Sequence, residues 1–189
     1  MKKTHNHSLN SLLGKSTPLF EKFHGKTKIE KLPRKEDDPK QWPKEWKTIY
    51  YKGYGRFDEL ILPRPQLPSN IYFKKVMEKR KSGRKFSNKP LSLMKLSTLL
   101  YYGAGMNLDG KRFYPSAGAR YPLEVYILSL NTSDVLNGTY HYYLKEHSLE
   151  ELVLFKKKFN FREFFNQGWV SKAAVFIVIT AIPSRNTNK

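Results

Sequence analysis

The sequence predicts an α+β domain, and three observations carry that reading. Two stretches have helix-type apolar spacing, at Ile71–Met77 and Leu93–Leu100. Two strand candidates, Leu123–Leu130 and Thr139–Leu144, flank a turn signal at Asn137-Gly138 and are expected to pair as neighbours. Lastly, Ala174–Ala181 is a nearly unbroken apolar run that reads as a central strand buried on both faces. Helices and strands in mixed order define the class. No internal repeat is visible.

Taken in order, residues 1–45 are polar and irregular, with a proline-bracketed charged loop at Pro33–Pro39 and a short apolar anchor at Leu19, Phe20 and Phe23. An aromatic patch follows (Trp42, Trp46, Tyr50, Tyr51), then Leu60-Ile61-Leu62 in an extended segment laid over a surface. Ser69 is placed to cap a first helix carrying Ile71, Phe73, Val76 and Met77, which ends near Arg80–Gly83. Ser92 caps a second, with a stripe of Leu93, Leu96, Leu99 and Leu100, and Gly103 and Gly105 end it. A helix over 159–165 and a helical turn at Trp169–Ala173 precede the last apolar run.

The 189 residues suit one domain, or one domain with a tail. Twelve Tyr and 12 Phe allow a sizeable core although only 39% of residues are hydrophobic. The absence of Cys rules out disulfides, thiolate catalysis and Cys-ligated zinc. No run reaches the roughly 18 apolar residues of a membrane helix, and the start lacks a signal-peptide apolar region. A cytoplasmic protein without membrane association is expected. The net charge of +19 points to an anionic partner such as a phosphate cofactor, nucleic acid or acidic peptide. Its spread along the whole chain weighs against a nucleic-acid arm.

Two motifs carry chemistry. Arg80-x-Ser82-x-Arg84 sets two guanidiniums and a hydroxyl at alternate positions, which on extended backbone all point one way and suit a phosphate. Taken alone it also reads as a solvated basic helix end. Pro115-Ser116-Ala117-Gly118 is a small-residue turn before a strand, suited to close approach by a planar ring or phosphate, or simply a turn. About thirty residues and a capped helix separate the two, and their combination is far more specific than either. Elsewhere, His5 and His7 lack a third ligand, so no metal site is expected. His141 reads as a packed or surface strand residue, and Glu150-Glu151 as a solvated face. Neither a GxxxxGK[ST] loop nor an HExxH helix is present.

The motif order resembles the FMN-dependent nitroreductase superfamily, and within it the SagB/ThcOx-type (McbC-like) dehydrogenases, which oxidise azoline rings in ribosomally made peptides such as bacteriocins. The matching segments are RKSGRKF (80–86), PLSLMKLSTLLYYGAG (90–105), YPSAGARYPLEVYIL (114–128), GTYHYYLKEHSLEEL (138–152) and AAVFIVITAIPSR (173–185), with FHGKTK (23–28) and YYKGYGRFDELILPRP (50–65) upstream. The resemblance implies a sandwich with a mixed sheet flanked by helices, an intimate homodimer, and FMN at the subunit interface. It divides the chain into a leading arm, residues 1–66, and a nitroreductase-like domain, residues 67–189. Arg80 and Ser82 match positions holding the flavin phosphate and ribityl chain. Arg84 matches a basic position near the ring's N1/O2 side. Pro115, Ser116, Ala117 and Gly118 match the turn lying against FMN. Peptide maturation would involve a peptide substrate and a cyclodehydratase complex. A Lys-Tyr pair follows the SR motif in that branch and is linked to activity. Here Lys189 falls at the Lys position and the sequence stops, so the resemblance implies an enzyme lacking its C-terminal part, with Lys189 as the catalytic residue. The rival readings are a basic protein binding nucleic acid or an acidic partner, and an inactive remnant that folds only with a partner.

Overall fold

The structure, a computed structural model, describes residues 19–27, 40, 44, 48–67, 69–157, 159–160 and 164–187. The expectations placed on His5, His7, the Pro33–Pro39 loop, Trp42, Trp46 and Lys189 lie outside these. The chain divides into two compact units, residues 1–42 and 43–189. The first holds helix α1, Leu19–Thr27, on which Leu19 and Phe23 are exposed.

The second unit is built on a five-stranded sheet. Its strands are β1 (Glu59–Ile61), β2 (Leu123–Ser129), β3 (Gly138–Tyr143), β4 (Ser148–Leu154) and β5 (Val175–Ala181). The spatial order is β1-β4-β3-β2-β5. Helices α2 (Phe73–Lys79) and α3 (Leu93–Ala104) lie between β1 and β2 in sequence, and a single helical turn, α4 (Ser184–Thr187), follows β5. The α+β expectation holds. All four ladders are antiparallel, however, and parallel pairing among the described residues is confined to one bridge, Leu91 to Thr132. The mixed sheet is therefore corrected to an antiparallel one.

β2 and β3 pair as expected, Tyr126 opposite His141 through Ser129 opposite Gly138. Gly138 is required by space: a Cβ there would meet the Val153 carbonyl oxygen at 2.6 Å. β1, from the leading segment, pairs with β4 and closes one edge of the sheet.

Helix α3 forms as its sequence dictates. The Ser92 hydroxyl accepts from the Lys95 N–H at 3.4 Å, and Gly105 takes the C-cap. Gly103 stays inside the helix. Leu96 and Leu100 are wholly buried, but Leu99 is exposed, and Ser97 takes the third buried place. Ser97 Oγ donates to the Pro63 carbonyl at 2.5 Å, so it accepts from His147 Nε2 at 2.8 Å. That leaves His147 Nδ1 to accept from Tyr142 OH, also at 2.8 Å. The chain of bonds ties α3 to β3 and to the segment before β4. These residues adjoin the core of Leu62, Leu96, Leu100, Ile127, Tyr140 and Leu149.

Three element expectations are corrected. α2 starts at Phe73, not at Ser69: its N-cap is Tyr72, with no side-chain cap, because Asn70 turns the chain at φ 68°. Its apolar residues Phe73, Val76 and Met77 are all exposed. β5 is an edge strand, not a central one, and Ile177, Val178 and Ile179 are 43%, 39% and 61% exposed. The strand buried on both faces is β3, in the middle of the order, where Tyr140, His141 and Tyr142 are consecutive and all buried. The described ends of the expected 159–165 helix are not helical, while a 3₁₀ helix forms at Gly168–Lys172.

Candidate functional site

Arg80 leaves α2 at φ −63°, ψ 119°, and the chain continues without regular structure through Arg84. Arg80, Ser82 and Arg84 are all exposed, and none makes a side-chain bond among the described residues. Arg80 also lines a shallow groove of about 540 Å³ with Asn70, Tyr72, Lys75 and Lys79. Two lysines thus add to the cationic end of α2, which the motif alone did not include.

The second motif forms a tight turn. Ser116 is extended, and its Oγ accepts from the Tyr121 N–H at 2.9 Å. Ala117–Ala119 make one 3₁₀ turn, within which Gly118 has φ 61°. Ala119 (φ 52°) and Tyr121 (φ 46°) are left-handed without being glycine, a strain of about 1–3 kcal/mol each. Pro115, Ala117, Gly118 and Ala119 are exposed, so the small-residue backbone faces outward. No hydrogen bond or ion pair among the described residues joins this turn to Arg80, Ser82 or Arg84.

Beneath the turn lies a polar cluster that the sequence reading missed. His141 Nδ1 is 2.6 Å from Glu150 Oε2, and its Nε2 is 3.1 Å from Glu124 Oε2. Arg185 Nη1 lies 2.6 Å from Glu124 Oε1 and donates to the Tyr121 carbonyl at 2.8 Å. The Tyr54 N–H donates to Glu150 Oε1 at 2.5 Å. Carboxylates only accept, so filling both imidazole bonds needs hydrogen on both ring nitrogens or on one carboxyl. Burial raises the Glu124 carboxyl's pKa, but the bonds from His141 and Arg185 outweigh it and hold the group below its usual value. Beside this cluster Lys52 Nζ donates to Tyr126 OH at 2.6 Å, and Tyr126 OH lies 2.9 Å from Tyr54 OH. Burial lowers the Lys52 pKa, and the tyrosine oxygens more than reverse it, so Lys52 stays charged.

This cluster corrects the solvated reading of Glu150 and bears out the packed-strand reading of His141. Glu150 is 4% exposed, not solvated, because it lies on β4 directly opposite His141, where neighbouring residues alternate faces. His141 is packed, but it bridges two carboxylates. The sequence alone assigns no strand to 148–154; one there would have set Glu150 opposite His141 in a hairpin with β3.

The Nitroreductase family model matches residues 77–189. The chain belongs to the nitroreductase family. A Methanocaldococcus jannaschii protein described as a nitroreductase is 36% identical over 91 residues, 47% of this chain and 46% of its own length. A crystal structure from Ralstonia eutropha, likewise described as a nitroreductase, aligns with TM-score 0.54 at 28% identity over 74% of this chain and 63% of the other. One from Anabaena variabilis gives 0.59 at 20% identity, over 85% and 32%, a likeness of fold alone. The Escherichia coli microcin synthetase complex aligns at a TM-score of only 0.33, with 23% identity over 80% and 61%, and bears on neither fold nor function. The chain spans less than two thirds of each of these relatives. Among the described residues no helix is long and apolar enough to cross a membrane.

Proposed function

We propose that this nitroreductase-family chain is the FMN-binding part of an oxidoreductase of the azoline-dehydrogenase kind, acting on ribosomally made peptides. Family membership supports flavin-linked redox chemistry. The finer assignment rests on the segment order from RKSGRKF to AAVFIVITAIPSR. The observation that carries the reading is the donor set: two guanidiniums and a hydroxyl at alternate places on an exposed, non-helical stretch, with no partner among the described residues.

These residues fit FMN chemically. Arg80 and Ser82 would bind the phosphate and ribityl hydroxyls through charge-assisted bonds. Arg84 would put positive charge beside the pyrimidine side of the ring, where reduced flavin is anionic. The outward-facing backbone of Pro115–Gly118 would lie against the ring, supplied across a homodimer interface. Bound FMN supplies the hydride acceptor. Lys189 is the residue we assign to proton removal from the substrate ring.

Purification of the chain followed by a visible spectrum tests the first step: flavin absorbance should co-purify or appear on adding FMN. FMN should bind more tightly than riboflavin, because the guanidiniums act on the phosphate. Equal affinity for the two would remove Arg80 and Ser82 from their role, and no binding of either would sink the flavin reading for this chain.

A further inference from the structure

A concave pocket of about 430 Å³ opens where the chain leaves β5, and Tyr51, Lys52, Arg120, Ser184 and Arg185 are among its walls. Three of these are cations from three separate segments. None is a loose surface side chain. Arg120 is 6% exposed, the Arg185 side chain is 8% exposed, and Lys52 Nζ sits 4.7 Å from the Tyr54 ring centre while bonded to Tyr126. Arg185 spends one nitrogen, Nη1, on both Glu124 and the Tyr121 carbonyl. Its other guanidinium edge has no partner among the described residues.

The charge balance points the same way. Glu124 and Glu150 answer Arg185 and His141. The hydrogen bond of Lys52 goes to a neutral phenol. Behind the pocket wall, the Tyr51 ring lies against Arg112 at 5.3 Å and Lys145 at 4.7 Å. Arg112 is 8% exposed, and its Nε and Nη2 have no hydrogen-bond partner among the described residues. A buried guanidinium such as Arg112, with two nitrogens unbonded, is costly, and native proteins keep few of them without a reason. Together these cations focus positive potential on one concavity.

We propose that this pocket is an oxyanion subsite that takes the carboxylate of an Asp or Glu side chain carried on a peptide. The unused edge of Arg185 offers the fork that matches a carboxylate, and Lys52 supplies a second donor. Tyr50, Tyr51 and Ile182 give the amphipathic wall that side-chain methylenes need. The site goes beyond the flavin reading and does not depend on it.

Calorimetric titration of the purified chain at low salt tests it. The probes are an acetylated, amidated Gly-Gly-Glu-Gly-Gly peptide, its Gln twin, and inorganic phosphate, each with and without saturating FMN. The Glu peptide should bind about tenfold or more tightly than the Gln peptide. Lys52→Gln and Arg185→Lys should each erase most of that difference, while Lys89→Gln, at an exposed lysine outside the pocket, should leave it. FMN should not alter it. Equal affinity for the two peptides would overturn the proposal, as would an equal effect of Lys89→Gln. Displacement of the Glu peptide by FMN would give the pocket to the cofactor. Tight phosphate binding with no peptide discrimination would give it to a phosphate ligand. Peptide discrimination is read on the unmutated chain, so a variant that fails to fold leaves the test intact.

Discussion

At the centre of the sheet, His141, Glu124 and Glu150 are 0%, 3% and 4% exposed, and they bond one another. Along residues 71–90 every residue is exposed, and Arg80, Ser82 and Arg84 bond no described side chain. Both regions are rich in charge, yet they have opposite roles. Charges taken out of water cost several kcal/mol unless partners within the fold offset the lost hydration. Charges left in water cost little and stay available to a ligand. The first region therefore governs stability, and the second, on the reading proposed here, governs binding.

The largest expected effect breaks the first half of this contrast. His141→Leu leaves two buried carboxylates facing an apolar side chain, at a cost of about 3–5 kcal/mol. Urea unfolding would measure it. Adding Glu150→Gln should recover a large part, because Glu150 has lost the imidazole it pairs with, while Glu124 keeps Arg185 at 2.6 Å. No recovery would mean that the imidazole packs more than it pairs.

A smaller effect comes from pH. Burial lowers the His147 pKa, and the Pro63 carbonyl, which raises it, does not restore the usual value. The unfolded chain then takes up a proton at higher pH than the folded one. The contribution of His147 is complete above the unfolded value of 6.5 and is lost as pH falls through the folded value. His147→Gln should flatten that part of the stability–pH curve, read by thermal unfolding between about pH 4 and 8. Smallest is the α3 cap: at 3.4 Å the Ser92 bond is long, so Ser92→Ala should cost about 0.5 kcal/mol, the low end for such caps.

The same contrast explains what the sequence made legible. The helix α3, its Ser92 cap and the pairing of β2 with β3 are local signals, and all three appear in the structure, although Leu99 of the stripe is exposed. The apolar run of β5 says that its side chains favour burial, but not which surface covers them, and within this chain the strand lies at an edge. β3 reads Gly-Thr-Tyr-His-Tyr-Tyr, too polar to announce a strand buried on both faces, because its burial depends on Glu150 and Glu124 arriving from its two neighbours. Such a cluster has no local signature. Lys52, Tyr54 and Arg185 reach it from opposite ends of the domain sequence. The Arg80–Arg84 and Pro115–Gly118 motifs, by contrast, stood out because each is contiguous.

Flavin titration of the Arg80→Gln/Arg84→Gln variant, with a thermal melt of the same sample, tests the division between the two regions most directly. The account predicts that FMN affinity falls by at least about tenfold. Unfolding should stay within about 0.5 kcal/mol of the parent, since both side chains are exposed. Unchanged FMN affinity, or a variant that unfolds as readily as His141→Leu, would contradict it.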